Sequence, residues 1–147
     1  MRIPNQSIRV NEIMSRPVIT AKVGDDIHTI ARKMKRYKIG SVIVMEGKRP
    51  CGIITERDIV RRVVANGGTN KPVLAKDIMS KPLITVKRGE TLEQAAEFMV
   101  KKGKKKLGVV DERGKLVGIV SESDIIKNAN YLIGVLKELL AAGYAGS

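Results

Sequence analysis

The sequence predicts an α/β (α+β) fold made of two tandem β-α-β-β-α units in a pseudo-two-fold arrangement. The stretch GIITERDIV (Gly52–Val60) returns as GIVSESDII (Gly118–Ile126). The preceding segments, Ile13–Glu46 and Ile78–Asp111, align without a gap at an offset of 65 residues. Apolar residues recur at helical spacing in one part of each copy and in short strand-like runs elsewhere. Colinear repetition of this kind indicates one structural unit used twice.

Each copy opens with a short strand and an amphipathic helix. The runs PVITAK and PLITVK are apolar and begin with a proline, which suits an edge strand or an irregular strand start. The turns GDD and GET follow, and their acidic residues favour a helix N-terminus. The apolar stripe is Ile27, Ile30, Ala31 and Met34 in the first helix, and Leu92, Ala95, Ala96 and Met99 in the second.

A hairpin and a second helix complete each copy. The first hairpin joins SVIVM to CGIIT, and the second joins LGVVD to LVGIVS through a loop with one extra residue. The helix ERDIVRRVVAN ends at Gly67-Gly68, and the last helix is predicted to run unbroken from Glu122 to Gly143. The predicted boundaries are 8–66 for the first domain, 67–75 for a linker, 76–130 for the second domain, and 131–147 for a helix extension and tail.

The helix extension carries a wide apolar face. Its members are Tyr131, Leu132, Val135, Leu136, Leu139 and Leu140. Apolar patches of this size rarely stay exposed on a monomer. The sequence therefore predicts either a homodimer contact or a cap over the sheet, and it leaves open whether the dimer is parallel or antiparallel.

The formal net charge of +13 favours anionic partners such as nucleotides or nucleic acids. A lysine-rich surface is also typical of thermophile proteins, so stability and solubility are an alternative explanation. No run reaches the roughly 20 apolar residues of a membrane span. The N-terminus lacks the apolar region of a secretory signal. We therefore expect a cytoplasmic protein without membrane contact.

Catalytic chemistry has little support in the sequence. His28 is the single histidine and is expected at the surface, and Cys51 is expected to be a small buried apolar residue. The sequence contains no nucleophile elbow, no P-loop and no clustered His or Cys ligands. We expect no enzyme activity, no catalytic or metal-binding residue and no cofactor; an enzyme that uses a cleft between the units remains an alternative.

Several motifs recur in order in both copies. They are the lead-ins NEIMS and KDIMS, strand ends of the V-V-D type, and the signature G-I-[IV]-[TS]-x-x-D. Together they resemble the CBS domain, and two such copies resemble a Bateman module over about residues 8–130. The resemblance implies a regulatory module that senses AMP, ADP or ATP, or alternatively S-adenosylmethionine, in the cleft between the units. It also implies a homodimer and an unknown regulated protein as partners. In the predicted fold the lead-in of each unit crosses toward the other unit, and the glycine of the signature permits the close approach of backbone or ligand.

The chemistry of the first signature suits a nucleotide. Thr55 can cap the next helix, whose free N–H groups suit a phosphate, and Arg57 adds a bidentate phosphate donor. Asp58 suits the two ribose hydroxyls. An ordinary helix cap and a dipole-favoured acid are the alternative roles of Thr55 and Asp58. The predicted ligand-binding residues of this copy are Thr20, Lys38, Gly40, Val42, Thr55, Arg57 and Asp58.

The second copy carries less fixed charge. Ser123 stands where the first copy has Arg57, and Gly103 stands where it has Lys38. The run Lys101–Lys106 can supply phosphate contacts, and nucleic-acid binding or a solvated helix end are alternatives. It has no interleaved aromatic residues, which disfavours single-strand binding. The predicted ligand-binding residues of this copy are Thr85, Lys106, Leu107, Ser121, Ser123 and Asp124.

Overall fold

The computed structural model describes residues 7–68 and 71–143 of the chain. The strands are β1 Thr20–Lys22, β2 Ser41–Glu46, β3 Arg49–Thr55, β4 Thr85–Lys87, β5 Lys106–Val110 and β6 Leu116–Ser121. The helices are α1 Val10–Ile13, α2 Ile27–Tyr37, α3 Glu56–Arg62, α4 Ala75–Ile78, α5 Leu92–Lys102, α6 Glu122–Lys127 and α7 Ala129–Ala141. Over the described part of the chain, no helix is both long enough and apolar enough to cross a membrane.

The chain divides into two compact units, each with its own three-stranded sheet. The first unit is Pro17–Ile84, and the second unit combines Met1–Arg16 with Thr85–Ser147. In the first unit β1 runs parallel to β2 and β3 runs antiparallel to it. Strands β4, β5 and β6 repeat this arrangement in the second unit. The predicted α+β architecture of two repeated units is confirmed.

The lead-in of the first repeat, NEIMS, lies in the second unit, and the lead-in of the second repeat, KDIMS, lies in the first unit. Ser15 and Ile119 exchange backbone hydrogen bonds of 2.8 and 3.2 Å in the second unit. Ser80 and Ile53 exchange the corresponding bonds, of 2.9 and 3.0 Å, in the first unit. The prediction that each lead-in crosses to the other repeat is confirmed, and the bridge covers part of an edge strand that would otherwise present unpaired backbone groups.

The glycine of the repeated signature makes this crossing possible. A Cβ atom on Gly52 would lie 2.7 Å from Met79 Sδ and 2.9 Å from the carbonyl oxygen of Ser80. A Cβ atom on Gly118 would overlap the side chain of Met14, with Cγ at 2.8 Å. These two glycines therefore leave room for the lead-in segment. Of the two close approaches predicted from the signature, by backbone or by a ligand, the structure shows an approach by another segment of the chain.

The predicted apolar stripes form the cores of the two units. The buried residues of the first are Ala21, Ile27, Ile30, Met34, Val42, Val44, Ile54, Val63, Ala75 and Ile78. Those of the second include Leu92, Ala95, Met99, Leu107, Val109 and Val120. Cys51 differs from its prediction because it is half-buried, with Sγ 3.4 Å from the carbonyl oxygen of Val44. His28 is exposed, as predicted.

Two helices end earlier than predicted. Helix α3 ends at Arg62 and gives way to a 3₁₀ turn over Val64–Asn66. The last predicted helix is interrupted at Asn128, which separates α6 from α7. The Asn128 side chain donates to the carbonyl oxygen of Asp124 at 2.8 Å, so it replaces the backbone N–H that a continuous helix would place there.

One member of the predicted apolar face, Leu140, is 49% exposed. The side chains of Tyr131, Leu132, Val135, Leu136 and Leu139 lie outside the described residues. The dimer contact or cap that was predicted from them stays a prediction.

The two hairpin turns account for the extra residue of the second copy. The first turn is Gly47-Lys48, closed by an Arg49–Glu46 ion pair of 2.8 Å. In the second, Asp111 Oδ1 accepts the backbone N–H groups of Arg113 and Lys115, each at 2.9 Å. The hydrogen bond from the backbone N–H of Lys115 is the main reason that the pKa of Asp111 lies below its ordinary value. The longer loop is thus ordered by its own carboxylate.

Candidate functional site

Three strands and one helix of the first unit bring the predicted residues to one end of the sheet. Ser41 begins β2 opposite Thr55, which ends β3. The backbone N–H of Glu56, the first residue of α3, donates to the carbonyl oxygen of Gly40 at 3.0 Å. Thr20 begins β1, which runs parallel to β2 and therefore starts at the same end. We name this sheet end, with Lys38, Arg57 and Asp58, the first site.

Asp58 and Thr55 form a reciprocal helix cap. Asp58 Oδ2 accepts the N–H of Thr55 at 2.9 Å, and Thr55 Oγ1 accepts the N–H of Asp58 at 3.1 Å. Asp58 Oδ1 lies 3.8 Å from Arg62 Nε, and the carboxylate side chain is 14% exposed. Asp58 therefore caps the helix, and only its Oδ2 takes part in the cap. Oδ1 keeps the capacity to accept hydrogen bonds from a ligand hydroxyl.

The start of α3 offers fewer free backbone donors than predicted. The N–H of Glu56 is bound to Gly40, and that of Asp58 is bound to Thr55. The prediction of free N–H groups at this helix start therefore does not hold for Glu56 and Asp58, because the strand end and the cap already use them. A phosphate at this site would depend mainly on cationic side chains.

Two predicted cations stand at the first site. Arg57 is exposed on the first turn of α3. Lys38 is exposed just after α2 and has left-handed backbone angles, φ 55 and ψ 47. Among the described residues, it is the one non-glycine residue with positive φ. Residues with a Cβ atom adopt this backbone conformation uncommonly.

A third cation at the first site, Lys33, is not among the residues predicted from the sequence. Lys33 is half-buried on α2, and its Nζ donates to the carbonyl oxygen of Thr20 at 2.8 Å. The repeat alignment contains a signal for it, because Phe98 occupies the matching position in the second copy. The bond ties α2 to the start of the edge strand and places a positive charge beside Thr20.

Two predicted ligand residues have side chains in the core. Val42 is 1% exposed and Leu107 is 0% exposed. The alternation of strand residues turns both side chains toward the packed helices of their unit. The prediction of a ligand contact is therefore restricted to their backbone groups.

The second unit repeats the frame of the first. Lys106 begins β5 opposite Ser121, and the N–H of Glu122 donates to the carbonyl oxygen of Lys105 at 2.7 Å. Asp124 Oδ2 accepts the N–H of Ser121 at 2.8 Å, and Ser121 Oγ accepts the N–H of Asp124 at 3.2 Å. We name this sheet end, with Thr85 at the start of β4 and Ser123 on α6, the second site.

The side chains around the second frame carry their charge at different positions and without an arginine. Ser123 is exposed in place of Arg57, and Gly103 has φ 66 in place of Lys38. Lys104 and Lys105 are exposed just before β5. Flexible lysines are point charges without the fixed fork of an arginine. The structure therefore gives the two copies the same backbone frame with different electrostatics.

A separate groove lies at the opposite end of β3. Its volume is about 880 Å³, and it is lined by the hairpin residues Arg49 and Cys51 together with Met79, Lys81 and other residues of the second lead-in. No predicted ligand-binding residue lines it. The groove is therefore distinct from the first site, within the same unit.

Two relatives of the chain are uncharacterized proteins of thermophilic archaea. A protein of Methanopyrus kandleri is 42% identical over 134 residues, which cover 90% of this chain and 68% of the relative. A protein of Methanocaldococcus jannaschii is 44% identical over 131 residues, which cover 89% of this chain and 67% of the relative.

Two similar solved structures contain adenosyl ligands. A CBS domain protein from Pyrobaculum aerophilum complexed with AMP is 27% identical, with a TM-score of 0.77 over 88% of this chain and 99% of that one. The CBS domain pair of protein MJ0100, complexed with 5′-methylthioadenosine and S-adenosylmethionine, is 29% identical, with a TM-score of 0.74 over 85% and 98%. The CBS domain family model matches residues 10–65 and 75–131. With most of its length in these two copies, the chain belongs to the CBS domain family.

Proposed function

We propose that the chain is a ligand-sensing regulatory module that binds adenine nucleotides, AMP, ADP or ATP, at the first and second sites. Binding at these sites alters the activity of a regulated protein partner. S-adenosylmethionine is the second candidate ligand, because a structurally similar CBS domain pair was solved with it.

The observation that carries the proposal is the repeated carboxylate. Asp58 and Asp124 each use Oδ2 in the helix cap, at 2.9 and 2.8 Å from a backbone nitrogen. Each is only half-buried at a sheet end, so its Oδ1 can accept hydrogen bonds from a ribose diol. Both similar structures with ligands contain compounds built on adenosine, whose ribose this acceptor would recognise.

The difference in charge between the sites supports a division of ligands. Arg57 and Lys38 stand at the first site, so this site suits a phosphate-bearing nucleotide. Ser123 and Gly103 replace them at the second site. Removing the phosphate from the ligand should therefore weaken binding less at the second site than at the first. We therefore propose that the first site discriminates AMP from adenosine more strongly than the second site.

Calorimetric titration with AMP, ATP, adenosine and S-adenosylmethionine tests the proposal. The variants are Asp58→Asn, Asp124→Asn and the double variant. Asparagine keeps an acceptor for the helix cap and removes the charge. Each substitution should weaken ligand binding at its own site about tenfold, because hydrogen bonds to charged groups contribute about 1.5–3 kcal/mol.

The control measures whether the variants remain folded. Thermal unfolding should be nearly unchanged, since the cap is retained. Unchanged nucleotide affinity in the folded double variant would remove the ribose role of both carboxylates. A short RNA, titrated at two salt concentrations, tests the alternative that the surplus charge serves nucleic acid, since such binding falls steeply with salt.

A further inference from the structure

One arginine connects the candidate ribose acceptor of the first site to the lead-in of the second repeat. Arg62 is the last residue of α3. Its Nη1 donates to the carbonyl oxygen of Ile78 at 2.7 Å, and its Nε lies 3.8 Å from Asp58 Oδ1. All three residues belong to the first unit. A single guanidinium group therefore joins the first site to α4, the helix of the second lead-in.

The hydrogen bond to Ile78 anchors the guanidinium group on the lead-in. Ile78 is the last residue of α4, and the carbonyl groups at the end of a helix lack a partner within the helix. Backbone bonds hold the lead-in on both sides of this point, with the N–H of Ala75 bound at 2.8 Å and that of Ser80 at 2.9 Å. Arg62 adds to them a side-chain bond from a charged donor, which is stronger than a bond between neutral groups.

The distance between Arg62 and Asp58 leaves the carboxylate oxygen Oδ1 available. Hydrogen bonds from a cationic nitrogen to a carboxylate are about 2.7–2.9 Å long. At 3.8 Å, Arg62 therefore attracts Oδ1 without occupying it. An arginine four residues after an aspartate on a helix is well placed to close onto the carboxylate as an ion pair. The anchor on Ile78 holds the guanidinium group back from this closure, so Oδ1 stays open to a ligand hydroxyl.

The second repeat has an asparagine at the matching position. Asn128 follows Asp124 by four residues, as Arg62 follows Asp58. The Asn128 side chain is neutral, and its Nδ2 donates to the carbonyl oxygen of Asp124 at 2.8 Å. Asp124 therefore forms the same helix cap as Asp58, but the residue four positions later cannot supply a charge that competes for its carboxylate.

We propose that Arg62 is a positioning residue that couples ligand binding at the first site to the docking of the second lead-in. This proposal rests on the proposed function, because it concerns the contact between Asp58 and a ribose. With the lead-in docked, Ile78 holds Arg62 back and a ribose diol binds to Oδ1. With the lead-in released, Arg62 pairs with Asp58 and competes with the ligand. The ligand and the docked lead-in therefore favour each other, and this coupling is reciprocal.

Amide hydrogen exchange of the full chain, followed by NMR, tests the coupling. At an AMP concentration of about 100 times its Kd, exchange at Ala75 and Ser80 should slow at least about tenfold, because opening of the lead-in then requires release of the ligand. The nucleotide 2′,3′-dideoxyadenosine monophosphate lacks both ribose hydroxyls and should cause little slowing at the same multiple of its own Kd. The matching amides of the first lead-in, Val10 and Ser15, should change little with either nucleotide.

Three variants separate this coupling from a general stabilisation of the unit by its ligand. Arg62→Ala removes the guanidinium group, and Arg62→Gln keeps a donor for the Ile78 carbonyl while it removes the charge. Both should bind AMP without slowing exchange at Ala75 and Ser80, because the lead-in can then open with the ligand in place. Arg61→Ala is the matched control, since Arg61 is exposed on the same helix and the change in charge is the same. It should keep the slowing.

The outcomes distinguish this proposal from the proposed function. A wild type that binds neither AMP nor adenosine overturns the proposed function, and this proposal with it. AMP binding without slower exchange at Ala75 and Ser80 overturns this proposal alone. Equal slowing in Arg62→Ala, or with the dideoxy nucleotide, also overturns it, because the ligand would then stabilise the lead-in without Arg62 or the ribose hydroxyls. The comparison of the two nucleotides on the wild type decides the proposal even if a variant fails to fold.

Discussion

The first and second sites share a backbone frame and differ in the side chains around it. In both sites, the residue that ends the last strand of the sheet, Thr55 or Ser121, forms a reciprocal helix cap with the aspartate three residues later. The N–H of the first residue of that helix donates to the carbonyl oxygen of the residue that precedes the middle strand. The differing pairs are Lys33 and Phe98, Lys38 and Gly103, and Arg57 and Ser123. The interactions that build the helix start are therefore the same in both repeats, while the charges that could meet a ligand differ.

The ends of α2 and α5 also share a hydrogen-bond pattern and differ in one residue. Ile39 N–H donates to the carbonyl oxygen of Met34 at 3.0 Å, and Lys104 N–H donates to that of Met99 at 2.9 Å. Both helices thus end with a left-handed residue in a Schellman-type bond pattern. The second repeat uses glycine there, whereas the first uses Lys38 at φ 55. Lys38 therefore takes a backbone conformation that the sister repeat gives to glycine, which adopts it without steric cost.

The largest expected difference concerns the signature glycines. Gly52→Ala should lower the free energy of unfolding by about 1–3 kcal/mol, because the added methyl overpacks against the backbone of Ser80. Gly118→Ala should cost less, because the three atoms nearest to its methyl all belong to the Met14 side chain, which can move more easily than backbone. Chemical denaturation of both variants measures the difference. A cost at Gly118 equal to or larger than that at Gly52 would contradict the backbone explanation.

An intermediate effect is expected at the helix ends. Lys38→Gly should raise the free energy of unfolding by about 1 kcal/mol, since glycine accepts positive φ without strain. The same variant should bind AMP more weakly and adenosine as before, because it loses only a charge. Gly103→Lys is the matched variant and should destabilise the protein by a similar amount. Loss of stability in Lys38→Gly would mean that the side chain supports the fold.

The smallest expected effect concerns the exposed arginine. Arg57→Ser introduces the residue of the second repeat and should weaken AMP binding roughly fivefold, in the range of an exposed charge contact. Adenosine binding should hardly change, and the salt dependence of AMP binding should become shallower. Parallel titrations of both ligands measure this. Ser123→Arg should strengthen AMP binding at the second site, and equal losses of AMP and adenosine in Arg57→Ser would place the ligand elsewhere.

Much of the candidate site could be predicted because its signals are local. The cap between Thr55 and Asp58 follows from four consecutive residues, and so does its copy at Ser121 and Asp124. Lys33 could not be found in this way, because its partner is a carbonyl oxygen thirteen residues away in another element. The occupied N–H of Glu56 was missed for the same reason, since Gly40 reaches it only through strand pairing.

The sequence alone determined the duplication, the order of strands and helices, the apolar stripes and the helix caps. These features depend on periodicity and on contacts between residues close in the chain, and both can be inferred from the order of residue types in the sequence. Only the tertiary structure decided which backbone groups the lead-ins meet, that Met79 and Ser80 pack against Gly52, and that the carbonyl oxygen of Gly40 occupies the N–H of Glu56. Such features arise from packing between segments distant in sequence, where the geometry of the whole fold selects which groups meet.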